Sequence, residues 1–359
     1  LALAAKVDTR ELSEIVAATP TSVHADYYAK TVREMAQRRR MIASAIRIAQ
    51  LAYDEPDWAK AQLQAHALLD TTFQGPEQER LLSMDELILD TLPQIEDLLE
   101  HAGTLPGRST SLTTLDRKIR GLDKAKLYII AGRPSMGKTQ FSLYLARQIL
   151  SHGLPVVYFS ADTSKKWFLL RVAMMELGGD PLLQPERFRS SLALLAKWPL
   201  YMNDRRGQEL GIMRGQLKRF QSEQGQLGGI VFDYLELAGG KTRGESEEQR
   251  LSSLARGFKD LAREFDCPML LLSQLNREVE KRESGIPRLS DTRYAGEAEA
   301  DVWMGLYRKE WYLAQRGLSV PQEDLHKLIV NVGKNKDGDT GHVPLYYNAV
   351  TAEFKDWEG

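Results

Sequence analysis

Along roughly the first hundred residues, apolar positions recur at the 3.6-residue spacing of an amphipathic helix; beyond that they gather into short runs. In the clearest early stretch Val32, Met35, Ala36, Ile42, Ala45, Ile46 and Ala49 share one face, opposite Arg33, Arg38 and Arg40. This predicts a long helix from Asp26 to Tyr53. A second helix starts near Ser83, where Ser83-Met84-Asp85-Glu86 lets a hydroxyl and a carboxylate satisfy each other's orphan backbone amides. Pro93 interrupts it, so either the helix kinks there or a new one starts at Thr91, paired with Gln94. The Leu105-Pro106-Gly107-Arg108-Ser109 stretch breaks the pattern and marks a domain boundary. After it come β-rich runs: Leu127 to Ala131, Val156 to Ser160, Leu200 to Met202, Ile230 to Asp233, Met269 to Ser273, Val302 to Tyr307 and Leu328 to Val332. Strands alternating with helical stretches predict an α/β domain with a mostly parallel sheet covered on both faces.

Composition narrows the function classes. The 359 residues carry 48 Lys and Arg against 49 Asp and Glu, so a polyanion must be met by a local patch and not by a global field. A single cysteine, Cys267, allows no internal disulfide, and no metal-ligand spacing is present. The longest apolar runs are core-strand length. A soluble, cytoplasmic protein with no membrane span is expected, and from the missing initiator Met Leu1 is expected to be internal to a longer chain.

The chemistry begins at Gly132-Arg133-Pro134-Ser135-Met136-Gly137-Lys138-Thr139, a full P-loop followed by Gln140. Its glycines let the backbone wrap a phosphate, the next helix offers its N-terminus, Lys138 reaches the outer phosphates and Thr139 coordinates Mg²⁺. The apolar run before the loop and the Phe141, Leu145, Ile149 stripe after it supply the required strand and helix. Asp233, ending Ile230-Val231-Phe232-Asp233, is the second candidate Mg²⁺ contact. Asp162, after Val156 to Ser160, is the candidate base for the attacking water. Gln274, ending the Leu270-Leu271-Leu272-Ser273 run, is the candidate γ-phosphate sensor. ATP with Mg²⁺ is the implied substrate pair.

These residues resemble the DnaB-type replicative DNA helicases, hexameric RecA-like ATPases. The P-loop carries the resemblance together with Ser111 to Asp116, Phe232 to Leu237, Ser273-Gln274-Leu275-Asn276-Arg277, Leu306 to Glu310, and Gly333-Lys334-Asn335-Lys336-Asp337-Gly338-Asp339-Thr340-Gly341. It implies a partial helical N-terminal domain over 1–75, a linker with a linker helix over 76–109, and the RecA-like domain over 110–359. It also implies an ATP-driven 5′-to-3′ helicase in a homo-oligomeric, hexameric ring, with primase and a helicase loader as further partners. Lys334 and Lys336 then stand where a lysine and an arginine finger reach a neighbour's γ-phosphate. Lysine keeps the charge but loses the planar donor fork. Asp162 replaces the family's usual glutamate, and Tyr294 stands where an acidic residue is common. The same resemblance puts single-stranded DNA on the loop from Arg277 to Gly296, with Arg277, Arg288, Arg293, Tyr294 and Gly296 as contacts.

Two other readings stay open on the residues alone. One is a strand-exchange or switch ATPase akin to the RadA and KaiC groups, which share the P-loop. The other is a nucleotide-binding helicase relative that hydrolyses poorly and serves as an assembly or loader partner, suggested by Asp162 and Lys336.

Overall fold

A computed structural model describes residues 25–57, 60–62, 64–65, 68–69, 83–100, 105–240, 245–282, 284–292 and 296–358. The chain divides into two compact units, Leu1–Glu100 and His101–Gly359.

The described part of the first unit is helical. Helix α1 spans Ala25–Asp54, one residue beyond the expected helix at each end. Val32, Ile42 and Ile46 on its apolar stripe are exposed in the single chain. Helix α2 spans Met84–Glu100 and continues through Pro93. The restart at Thr91 does not occur: the Thr91 hydroxyl donates to the Leu87 carbonyl one turn earlier, a bond made within a continuing helix and not at a cap.

In the second unit the described residues form a nine-stranded sheet in the order β3-β2-β4-β5-β1-β6-β7-β8-β9. The strands are β1 Leu127–Gly132, β2 Val156–Ser160, β3 Leu200–Asn203, β4 Gly229–Asp233, β5 Met269–Gln274, β6 Val302–Tyr307, β7 Lys327–Asn335, β8 Gly341–Asn348 and β9 Glu353–Asp356. Strands β1 to β6 are mutually parallel, and β6-β7-β8-β9 pair antiparallel. The sequence pattern announced neither β8 nor β9. Pro344 lacks the amide a ladder needs and Gly341 opens the strand, so the stretch reads as loop until its partner β7 is in view.

Helices cover both faces: α3 Thr113–Ile119, α4 Lys138–Ser151, α5 Lys165–Leu177, α6 Pro185–Leu195, α7 Leu210–Gln224, α8 Glu247–Glu264, the short α9 Gly296–Glu299 and α10 Lys309–Gln315. Because side chains alternate along a strand, β1 serves two cores. Tyr128 and Ile130 pack with Phe141, Leu145 and Ile149 of α4. Leu127 and Ile129 face the opposite layer, with Leu254, Phe258 and Leu261 of α8. β1 lies between β5 and β6, which places the loop after it at the carboxyl edge where the strand order reverses.

Candidate nucleotide site

The P-loop is shaped by its own backbone. Ser135 and Gly137 hold φ of +67° and +92°, and a side chain at Gly137 would stand 3.0 Å from the Tyr347 ring. Outer contacts brace the turn: Arg133 pairs with Glu280 at 2.6 Å and donates to the Leu275 carbonyl at 2.9 Å. Arg308 donates to the Ser135 carbonyl at 3.3 Å while lying over the Tyr347 ring. Met136 and Gln140 are buried, and Pro134 is exposed.

Lys138, first residue of α4, turns its ammonium back to the Gly132 and Arg133 carbonyls at 2.7 and 3.1 Å. Burial lowers its pKa to about 8, against the pull of the Asp233 and Glu236 carboxylates. Thr139 donates to Asp233 at 2.7 Å, and Tyr158, itself linked to Ser142 at 2.8 Å, reaches the same carboxylate oxygen at 3.3 Å. Burial raises the Asp233 pKa, with the Thr139 hydroxyl opposing it. Thr139 and Asp233 thus form a compact all-oxygen pair that suits a hard divalent cation whose remaining ligands are phosphate oxygens and water. Among the described residues, no cluster of three His, Cys, Asp or Glu side chains offers a self-sufficient metal site.

Asp162 is exposed just past β2, whose end is tied to β4 by the Ala161 amide on the Asp233 carbonyl at 2.7 Å. It lies close enough to influence both Lys138 and Asp233. Gln274 is level with Gly132 in the sheet register. Its backbone amide and the Ser273 hydroxyl both donate to one oxygen of Glu236 at 2.9 Å, and the other Glu236 oxygen is buried with no hydrogen-bond partner. Glu236 received no role from the sequence, because its partners come from the adjacent strand; the signal available was a carboxylate three residues past Asp233.

Lys334 and Lys336 are not brought to this P-loop. Trp303 pairs with Lys334 and Val302 with Asn335, while Val302 is level with Tyr128. Four strand positions, about 13 Å, separate that level from Gly132. The two lysines therefore sit at the opposite edge of the sheet.

In the expected DNA loop, Arg277 opens a short 3-10 turn and is exposed, as is Arg288, whose amide donates to Asp291 at 2.7 Å. Arg282 is instead engaged internally with Asp291. Gly296 begins α9, whereas Arg293 and Tyr294 lie outside the described residues.

A model of the DnaB-like helicase C-terminal domain matches residues 107–356, more than half of the chain. The chain belongs to the DnaB helicase family. It is 31% identical to the replicative DNA helicase DnaB of Geobacillus stearothermophilus over 94% of this chain and 76% of that protein. To the replicative DNA helicase DnaC of Bacillus subtilis it is 30% identical over the same shares. One solved ATPase domain superposes with a TM-score of 0.69 at 26% identity, covering 76% of this chain and 99% of that one. A DnaB-like replicative helicase solved for its interactions with primase shares the fold, with a TM-score of 0.74 at 24% identity over 97% and 83% of the two chains. The RecA-like fold and the resemblance drawn from the motifs are both met. This DnaB family member is a nucleotide-hydrolysing replicative DNA helicase. Among the described residues, no helix is long and apolar enough to cross a membrane.

Proposed function

We propose that this helicase hydrolyses ATP with Mg²⁺ at sites shared between neighbouring subunits of a hexameric ring, moving 5′ to 3′ along single-stranded DNA in the cytoplasm. The P-loop backbone from Arg133 to Thr139, with N–H groups from every residue but Pro134, cradles the phosphates, and Lys138 exchanges its two carbonyl partners for phosphate oxygens. Thr139 and Asp233 would hold the Mg²⁺, which when bound neutralises charge developing on the phosphates. Asp162 orients the attacking water and accepts its proton. Gln274 senses the γ-phosphate, its backbone fixed by Glu236. Lys334 and Lys336 act on the nucleotide of the adjoining subunit, and Arg277, Arg288, Arg293 and Tyr294, with the backbone at Gly296, hold the DNA strand. Primase and a loader are the further partners.

The observation that supports this reading best is the separation across the sheet. The P-loop and the two lysines lie at opposite edges of one domain, so a head-to-tail ring would bring one subunit's lysines to the next subunit's phosphates. Unwinding of a forked duplex by the full-length protein tests it. Unwinding that needs ATP and a 5′ single-stranded tail is expected; nucleotide binding without unwinding would contradict the motor reading.

A further inference from the structure

Two lysines share one carboxylate at the sheet edge away from the P-loop. Asp301, just before β6, is 7% exposed. One of its oxygens accepts the Leu127 amide at 2.9 Å, and the other accepts both Lys259 at 2.9 Å and Lys336 at 2.8 Å. The Lys336 amide also donates to the Asp301 carbonyl at 3.0 Å. Lys259, on α8, donates to the Glu299 carbonyl at 3.2 Å, and Lys334 donates to the Ala298 carbonyl at 2.9 Å. The residues 298–301 that follow the DNA loop therefore hold both lysines assigned to the neighbouring site.

The two ammonium groups are not equivalent. The Lys259 side chain is 9% exposed and that of Lys336 is 43% exposed. A buried ammonium stripped of its counter-ion is strongly disfavoured, whereas a half-exposed one regains water when it leaves. Asp301 stays ionised: burial pushes its pKa up, but the Leu127 amide and the two lysines outweigh that and hold it below the usual carboxylate range. When Lys336 swings away, Asp301 keeps Lys259 and the Leu127 amide, so no buried charge is left unpaired.

We propose that Lys259 and Asp301 are positioning residues for Lys336. Asp301 holds Lys336 beside the end of the DNA loop. Lys259 competes for the same oxygen and keeps that hold releasable. Displacement of the 298–301 segment when the loop grips DNA draws Asp301 away from Lys336 and frees that lysine toward the adjoining nucleotide. The inference rests on the reading that Lys336 acts across the subunit interface.

The test is a double-mutant cycle in the assembled full-length helicase, with ATP hydrolysis measured with and without single-stranded DNA. Lys259→Met leaves Lys336 as the remaining lysine on Asp301. It should lower the DNA-stimulated kcat about tenfold with KM for ATP nearly unchanged. Adding Asp301→Asn keeps an acceptor for the Leu127 amide but removes the anion. The double variant should regain most of kcat and hydrolyse almost as fast without DNA as with it. A merely structural pair would give no rescue, and wild-type behaviour of Lys259→Met, or additive losses in the double variant, would overturn the inference. Should Lys259→Met alone fail to assemble, the double variant decides: DNA-independent hydrolysis supports the inference, and unchanged DNA dependence overturns it. Lys336→Ala run alongside separates the two levels. Full hydrolysis by that variant removes the interface reading itself, while its inactivity beside a normal Lys259→Met removes only the positioning role.

Discussion

Raising the pH from 7 to 9 should weaken nucleotide binding about tenfold, because it takes the proton from the ammonium that meets the outer phosphates. In the nucleotide-free chain, burial holds Lys138 at a pKa of about 8, and its partners are two neutral carbonyls. A bound triphosphate replaces them with anionic oxygens, which raises the pKa in the complex. Binding therefore takes up a proton once the pH exceeds the free-site value. Affinity is level below about pH 8 and falls by up to tenfold per unit above it, until the pKa of the complex is reached. About nine-tenths of free sites carry the charge at pH 7 and about one-tenth at pH 9, a difference of about 1.4 kcal/mol. The phosphates disturb the measurement little, since with a last pKa of about 6 they are about nine-tenths ionised by pH 7. Titration with a fluorescent, non-hydrolysable ATP analogue at constant ionic strength reads the effect directly. Lys138→Met should bind weakly at every pH. An unchanged Kd in the wild-type protein, or an equal fall in the variant, would refute the reasoning.

Three further outcomes follow from the same geometry. Asp233→Asn and Glu236→Gln each remove a carboxylate that props up the Lys138 pKa, so each should move the midpoint of that pH profile downward, with Asp233→Asn also losing hydrolysis by about a hundredfold or more. Gly137→Ala forces a side chain into the left-handed region at φ +92° and against the Tyr347 ring; loss of about 1–2 kcal/mol in thermal unfolding, with weakened nucleotide binding, is expected. Binding of single-stranded DNA should weaken steeply with salt, and Arg277→Ala or Arg288→Ala should each reduce the log–log salt slope by about 0.7 if the side chain meets one phosphate.

What the sequence made legible follows chain contiguity. The P-loop reads directly because its strand, turn and helix are consecutive, and Asp233 could be named because it closes an apolar run. Glu236 stayed hidden, since its hydroxyl and amide partners arrive from β5, 37 and 38 residues away. The hold of Asp301 on Lys259 and Lys336 spans 42 and 35 residues and exists only once α8, β6 and β7 converge. The loop expected to meet DNA is a mixed-charge stretch in the sequence, and the fold separates its charges: Arg282 is used internally against Asp291, while Arg277 and Arg288 are exposed. Pro93, expected to kink its helix or to follow a restart at Thr91, lies in a helix that continues past it, and Pro344 lies in a strand that alternation alone did not reveal.

The shared site is tested most directly by mixing two inactive variants. Lys336→Ala subunits keep Asp162 and the P-loop, whereas Asp162→Asn subunits keep the lysine finger. In a random equal mixture about a quarter of head-to-tail interfaces join an intact half from each variant. ATP hydrolysis should therefore return to about a quarter of the wild-type rate, with each variant inactive alone. Mixtures that assemble into rings and stay inactive at every ratio would contradict hydrolysis by groups from two subunits.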